Sequence, residues 1–298
     1  MAFFFEVVLG GLLAGVLYSL VALGFVLIFK ASGVFNFAQG AMVLFAALTL
    51  VRLTEWMPFW AAFAASCLVM IALAWVIERV VLRHLVNQEG IILFMATLGI
   101  AFFLEGFGQT IWGSDIYTLD LGIPKEPSFI LESLFDGGLL VDKLDVFAAV
   151  VASALVLSLA LFFQKTKVGL ALRAVADDHQ AAQSIGVPLN YIWLIVWSAA
   201  GIVALVAGMV WGANLGVQFS IALVALKALP VLILGGFTSV PGAIIGGLLI
   251  GMGEKLSEVY FGPIVGGGIE NWFAYMLVLV VLLFRPQGLF GDRVIERV

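Results

Sequence analysis

A chain of 298 residues that is 63% apolar and 11% charged, with a mean hydropathy of +1.18, has too few polar side chains to clothe a soluble surface. It reads as all-α: a polytopic integral membrane helical bundle with eight or nine transmembrane segments and broken helices. The net charge of −5 says little, because the location of charge orients such a chain, and the single cysteine, Cys67, excludes an internal disulfide and a cysteine zinc cluster.

A bilayer core takes about 20 apolar helical residues per crossing. The first candidate, 5–29, lies in an apolar run from Phe3 to Phe29, longer than the roughly 7–15 residues of a signal-peptide core. Glu6 at its N-terminal end and Lys30 after it favour an N-terminus outside. Further candidates are 37–53, 59–77, 91–112, 145–163, 191–211, 229–252 and 271–284. The apolar stretch 215–228 is short, and is either a ninth crossing or a half-helix.

The links fix the expected orientation. Arg79 and Arg83 in 78–89, Lys165, Lys167 and Arg173 in 164–178, and Arg285, Arg293 and Arg297 in the tail place these segments in the cytoplasm. The link 113–144 carries Asp115, Asp120, Glu126, Glu132, Asp136 and Asp142 against Lys125 and Lys143. It reads as external and, with Pro124 and Pro127, as partly irregular. An N-terminus outside and a C-terminus inside require an odd number of crossings, which counts 215–228 within one. The whole chain, 1–298, reads as a single transmembrane domain.

Two segments echo one another. GVFNFAQGA (33–41) and GGFTSVPGA (235–243) share glycine, phenylalanine and a terminal Gly-Ala at equal spacing, each between apolar runs. Such interruptions suit transporter repeats whose broken helices line a pathway. Small residues also recur in membrane helices simply to let backbones pack closely, as Gly242, Gly246, Gly247 and Gly251 would.

No chemistry-bearing constellation is present. No lysine follows a glycine, so there is no Walker A loop, and there is no Gly-x-Ser-x-Gly elbow or His-Glu-x-x-His pair. His84 and His179 lie far apart in polar links, so no metal site is expected. Intramembrane polar residues are the functional candidates instead. Asn36 and Gln39, with Gly40, sit in the first interruption, where amides either satisfy freed backbone groups or line a polar path. Gly235, Gly236, Thr238 and Ser239 occupy the second. Asn214, Gln218 and Ser220 could border an external mouth, and Lys227 is a lone cation in an apolar run that snorkels, lines the pathway or makes a subunit contact.

The segment Gln164–Asn190 is the one polar, helix-forming island. Leu170–Ile185 is rich in Ala, Leu and Gln, Gly186 stands where a left-handed cap ends a helix, and Pro188 follows. Asp177 and Asp178 could instead cap a second helix near His179, giving a helix–turn–helix knob.

QAAQSIG (180–186) resembles the Glu-Ala-Ala-x-x-x-Gly coupling signature of bacterial ABC importer permeases, with Gln180 at the glutamate position. GLLAGVLYSLVALGFVLIF (11–29) with VFNFAQG (34–40), KALPVLILGGFTSVPGAIIGGLLIG (227–251) and RPQGLFG (285–291) resemble further signatures of one family, the LivH-type permeases of branched-chain amino acid ABC importers. The resemblance spans about residues 11–291. It implies a permease subunit paired with a second, related LivM-type permease, two cytosolic ATP-binding subunits docked beneath, and an external solute-binding protein above, in a bacterial inner membrane. ATP and magnesium would sit on the partner ATPases and no cofactor on this chain, whose partners are these subunits and lipid rather than nucleic acid. Arg173, Asp177, Asp178, Gln180, Ala181, Ala182 and Gly186 would form the coupling element. Gln39 stands where histidine is common and Ala41 where glutamate is, leaving branched-chain amino acids, urea, short amides and small carboxylated solutes as substrate classes. A stand-alone secondary transporter or channel is the alternative of another class, and spans nearly devoid of carboxylates weigh against ion coupling.

Overall fold

A segment inside lipid must close its own backbone hydrogen bonds, which a helix does. The computed structural model describes residues 2–33, 35–85, 88–124, 127–130, 139–177 and 179–291. Within them the chain forms α1 (Ala2–Ser32), α2 (Gln39–Thr54), α3 (Phe59–Val80), α4 (Gly90–Trp112), β1 (Pro127–Ile130), β2 (Leu139–Asp142), α5 (Lys143–Lys165), α6 (Lys167–Asp177), α7 (His179–Ser184), α8 (Leu189–Leu215), α9 (Val224–Gly235), α10 (Val240–Val265) and α11 (Phe273–Phe284). By length and composition α1, α3, α4, α5 and α8 can each cross a membrane. Adding the shorter apolar helices α2 and α11 and the bent pair α9–α10 gives nine apolar helices among the described residues, or eight if the pair is one span.

The apolar run 229–252 is not one straight helix. It is divided at 236–239, and the segment beginning at Phe219 meets α10 at 117°. The stretch 215–228 is no crossing of its own, but a 3-10 turn at Phe219–Leu223 followed by the start of α9. The acidic link 113–144 is more ordered than its prolines suggest: β1 and β2 pair antiparallel, with Pro127 opposite Asp142 and Ile130 opposite Leu139. Tyr117 and Val217 exchange backbone hydrogen bonds of 3.0 and 2.7 Å, which anchors the beginning of that link.

Contacts gather in two compact units, Met1–Ala22 with Gly122–Ala154 and Leu226–Val298, and Leu23–Leu121 with Leu155–Ala225. In the second unit α2 is enclosed by α3, α4 and α8. Every residue from Gln39 to Val51 is buried, so this helix is apolar all round, as a fully enclosed helix must be. At 16 residues it is about 24 Å long, short of a bilayer core, but its enclosure by neighbours removes the need to span one. Gly208 on α8 lets α2 approach: a Cβ there would lie 2.6 Å from the Val43 carbonyl. In the first unit α1 lies against α10 through Gly11, Gly15, Gly247 and Gly251, where a Cβ on Gly15 would come within 2.6 Å of the Gly247 carbonyl. Burial separates the roles of the long helices. In the most apolar windows of α1 and α8, 72% and 78% of the residues are buried, whereas in those of α3, α4 and α5 only 28% are, so these three helices turn most of their residues outward.

Candidate functional site

The first interruption is held by its own amides. α1 ends at Ser32, followed by Gly33 at φ +70°, and α2 starts at Gln39. Asn36 and Gln39 are fully buried. The Asn36 carbonyl Oδ1 accepts from Ala38 N at 3.0 Å, closing an Asx turn at the start of α2. Asn36 Nδ2 donates to Gln39 Oε1 at 3.4 Å, and Gln39 Nε2 donates to the Ala200 carbonyl at 3.4 Å. Asn36 thus meets a backbone N–H at the start of α2, while Gln39 ties the interruption to a carbonyl within α8. Around them Phe35 stacks on Phe25 at 4.7 Å, Phe37 meets Phe94 edge-on, and the Phe37 N–H donates to Thr97 Oγ1 at 3.3 Å. Gly40 is buried beneath the 3-10 turn, where a Cβ would strike the Ala222 carbonyl.

The second interruption has the same plan with different residues. Gly236 takes φ +100°, and the Ser239 hydroxyl caps α10 by accepting from Gly242 N at 3.0 Å. Gly235 lies against Gly242, and Thr238 is half-buried. The C-terminal RPQGLFG segment docks here: Leu289 N donates to the Leu234 carbonyl at 2.7 Å and Phe290 N to the Gly235 carbonyl at 3.2 Å. These are carbonyls at the end of α9, which has no further turn to satisfy them. Two motifs some 50 residues apart in sequence thus form a single object, a broken helix and the strap that caps it.

Lys227 is not a lone cation. Its Nζ lies 3.7 Å from Glu254 Oε2 and 3.4 Å from the Glu270 carbonyl. The same Glu254 oxygen accepts from the Tyr18 hydroxyl at 2.9 Å. Glu254 is 3% exposed and was not a sequence candidate, because the apolar run ends at Met252 while the helix continues to Val265. Tyr18 had no sequence signal either. Nearby, Lys255 lies 3.7 Å from a Glu270 carboxylate oxygen. Asn214 is exposed in the last turn of α8, and Gln218 precedes the 3-10 turn half-buried.

The polar island folds as two helices, α6 and α7, with Asp178 outside the described residues. Two features ahead of the signature shape it. The Thr166 hydroxyl accepts from Gly169 N at 3.2 Å, capping α6, and Gly169 packs directly on the Phe163 backbone, so the chain turns sharply out of α5. A Thr-x-x-Gly after a long apolar helix is the signal that would have found this corner. Leu172, Val175 and Ala182 face inward, while Arg173, Ala181 and Gly186 are exposed. Asp177 closes α6 and Gln180 lies in α7. Gly186 takes φ +88°, and Val187 N returns to the Ala182 carbonyl at 3.0 Å, which ends α7 in a left-handed cap. Leu170 and Ile185 stand 63% and 77% exposed on this otherwise polar knob.

Residues 7–285 match the family described as "Branched-chain amino acid transport system / permease component". This chain belongs to that family. The permease is 28% identical to the high-affinity branched-chain amino acid transport system permease protein LivH of Salmonella typhimurium, covering 99% of this chain and 98% of the relative. It is 30% identical, over the same shares, to the permease protein BraD of Pseudomonas aeruginosa. It is 29% identical to the probable LivH of Methanocaldococcus jannaschii, covering 95% and 91%. No solved structure matches the permease. It is a multi-pass membrane transport component rather than an enzyme, and it works with other components of a transport system.

Proposed function

We propose that this permease is one of two membrane-spanning subunits of an ABC importer for branched-chain amino acids in a bacterial inner membrane. The reading rests on the near full-length likeness to permeases named for that transport. Its N-terminus lies outside and its C-terminus in the cytoplasm. A related LivM-type permease completes the translocation pathway, an external solute-binding protein delivers the substrate, and two cytosolic subunits bind ATP and magnesium. Asn36, Gln39, Gly40, Asn214, Gln218, Lys227, Gly235, Gly236, Thr238 and Ser239 border or shape the pathway. Of these, Asn36, Gln39 and Ser239 act by holding the broken helices in position, in keeping with their hydrogen bonds.

The island 164–190 is the coupling element, with Arg173, Asp177, Asp178, Gln180, Ala181, Ala182 and Gly186 in it. Its support is the exposed apolar pair Leu170 and Ile185, which a segment facing water gains by burying against a partner. Proteoliposomes holding the permease pair, the ATPases and the binding protein test the proposal by uptake of labelled leucine and of urea. ATP-dependent leucine uptake without urea uptake supports the proposal. Urea uptake alone would replace the substrate, and leucine uptake without ATPases would replace the class.

A further inference from the structure

Where α2 and α4 end and α3 begins, the second unit holds a cavity of about 530 Å³ with Arg52, Trp56 and Trp112 at one end and Phe45, Val69 and Ile111 along its walls. We infer that this groove binds a phospholipid with an aminophosphate headgroup, phosphatidylethanolamine in chemistry, with Arg52 on the phosphate and Glu55 on the ammonium. Three apolar helix ends meet here, so the mouth lies at the rim of the hydrocarbon slab. Trp56 is 85% exposed beside it, and amphipathic aromatic rings favour headgroup level.

Depth selects the occupant. Val69 lies ten residues into α3 from Phe59, about 15 Å at 1.5 Å per residue, which is half of a roughly 30 Å hydrocarbon core. An acyl chain of one leaflet fills that length, and a free amino acid leaves most of it empty. The wall offers an acyl chain no unmet polar group, because the Thr49 hydroxyl donates to the Phe45 carbonyl at 2.8 Å. At the rim, Arg52 Nη1 donates to both Glu55 oxygens at 2.7 and 3.0 Å, and its guanidinium lies over the Tyr117 ring at 5.2 Å. Its Nε and Nη2 make no hydrogen bond among the described residues, and a planar guanidinium presents such donors to a phosphate. A purely anionic headgroup would meet the Glu55 carboxylate, whereas a zwitterion with its ammonium there satisfies both side chains.

The test is lipid mass spectrometry of the full importer extracted in native membrane discs and washed into detergent. Phosphatidylethanolamine should be retained above its share of the surrounding membrane. Arg52→Gln should cut that retention about tenfold, a loss of about 1.4 kcal/mol. Val69→Phe, which fills the apolar arm and leaves the Arg52–Glu55 pair intact, should cut it as well. Glu55→Gln should keep a phospholipid but lose the preference for the ammonium headgroup over phosphatidylglycerol. Equal lipid composition in the native importer and both the Arg52 and Val69 variants overturns the assignment, as does displacement of the retained lipid by millimolar leucine.

Discussion

Lys227 on α9 pairs across 3.7 Å with Glu254 on α10, and the pair sits on opposite sides of the helix break at 236–239. The Glu254 side chain is 4% exposed and that of Lys227 31%, so the carboxylate depends on its partners for charge compensation. Lys227→Met leaves that carboxylate with only the Tyr18 hydroxyl among the described residues, and should cost about 2–4 kcal/mol, below the upper end for fully buried pairs because the lysine keeps some solvent. The double variant Lys227→Met with Glu254→Gln should recover most of the loss. Thermal unfolding in detergent measures both. Equal instability of the single and double variants would mean that the pair is not energetically coupled.

The strap that caps α9 makes a second prediction. Gly236 at φ +100° would carry a Cβ 2.7 Å from Gly291 N, so Gly236→Ala must strain the backbone and push the strap away. We expect about 2 kcal/mol of destabilisation. Limited proteolysis should then cut faster between Phe284 and Gly291. Gly33→Ala is the control: its φ is +70°, but nothing lies within 4 Å of the new Cβ. It should lose about 1 kcal/mol and leave the strap protected.

Hydropathy made the spans, both interruptions and the polar island legible, because lipid contact is a local property of sequence. The second helix of the island was legible as one of two alternatives, through Asp177 and Asp178 and the cap at Gly186. What stayed hidden depends on partners distant in sequence. Lys227 looked like an isolated cation because its carboxylate lies on the next helix, beyond the point where apolar residues cease. The capping of Leu234 by Leu289 was hidden for the same reason: each motif reads as complete, and only the orphan carbonyls of α9 show that it is not. The hairpin Pro127–Ile130 with Leu139–Asp142 lies under prolines and acids that argue for loop, and its pairing prevails over that local bias.

Close packing of α1 on α10 predicts a sharp contrast between neighbouring glycines. A Cβ on Gly15 would meet the Gly247 carbonyl at 2.6 Å and Leu248 Cα at 2.9 Å, both backbone atoms that cannot swing aside. Gly15→Ala should therefore destabilise by about 1–3 kcal/mol. Gly10→Ala meets nothing within 4 Å and should be neutral or gain a few tenths of a kcal/mol from helix propensity. Unfolding midpoints of the two variants in one detergent decide the matter, and equal midpoints would remove the helix contact.

Exposed residues of the island test coupling without disturbing the fold. Ala182 is buried, so a charged residue there could fail simply by unfolding α7. Ile185 is 77% exposed and Leu170 63%, so aspartate at either position leaves the permease's own packing intact. If the knob docks in an ATPase, each aspartate places a charge in an apolar contact and should weaken docking about tenfold, or 1.4 kcal/mol, with the pair of substitutions weaker still. Leucine uptake should fall with the loss of co-purified ATPase, while the permease alone keeps its unfolding temperature. Gly186→Ala acts differently. Its φ of +88° disfavours a side chain, yet nothing crowds the Cβ, so a modest loss of about 1 kcal/mol should misorient α7 and lower uptake per ATP hydrolysed rather than abolish docking. Full uptake in the Leu170→Asp, Ile185→Asp double variant would show that engagement lies elsewhere on the chain.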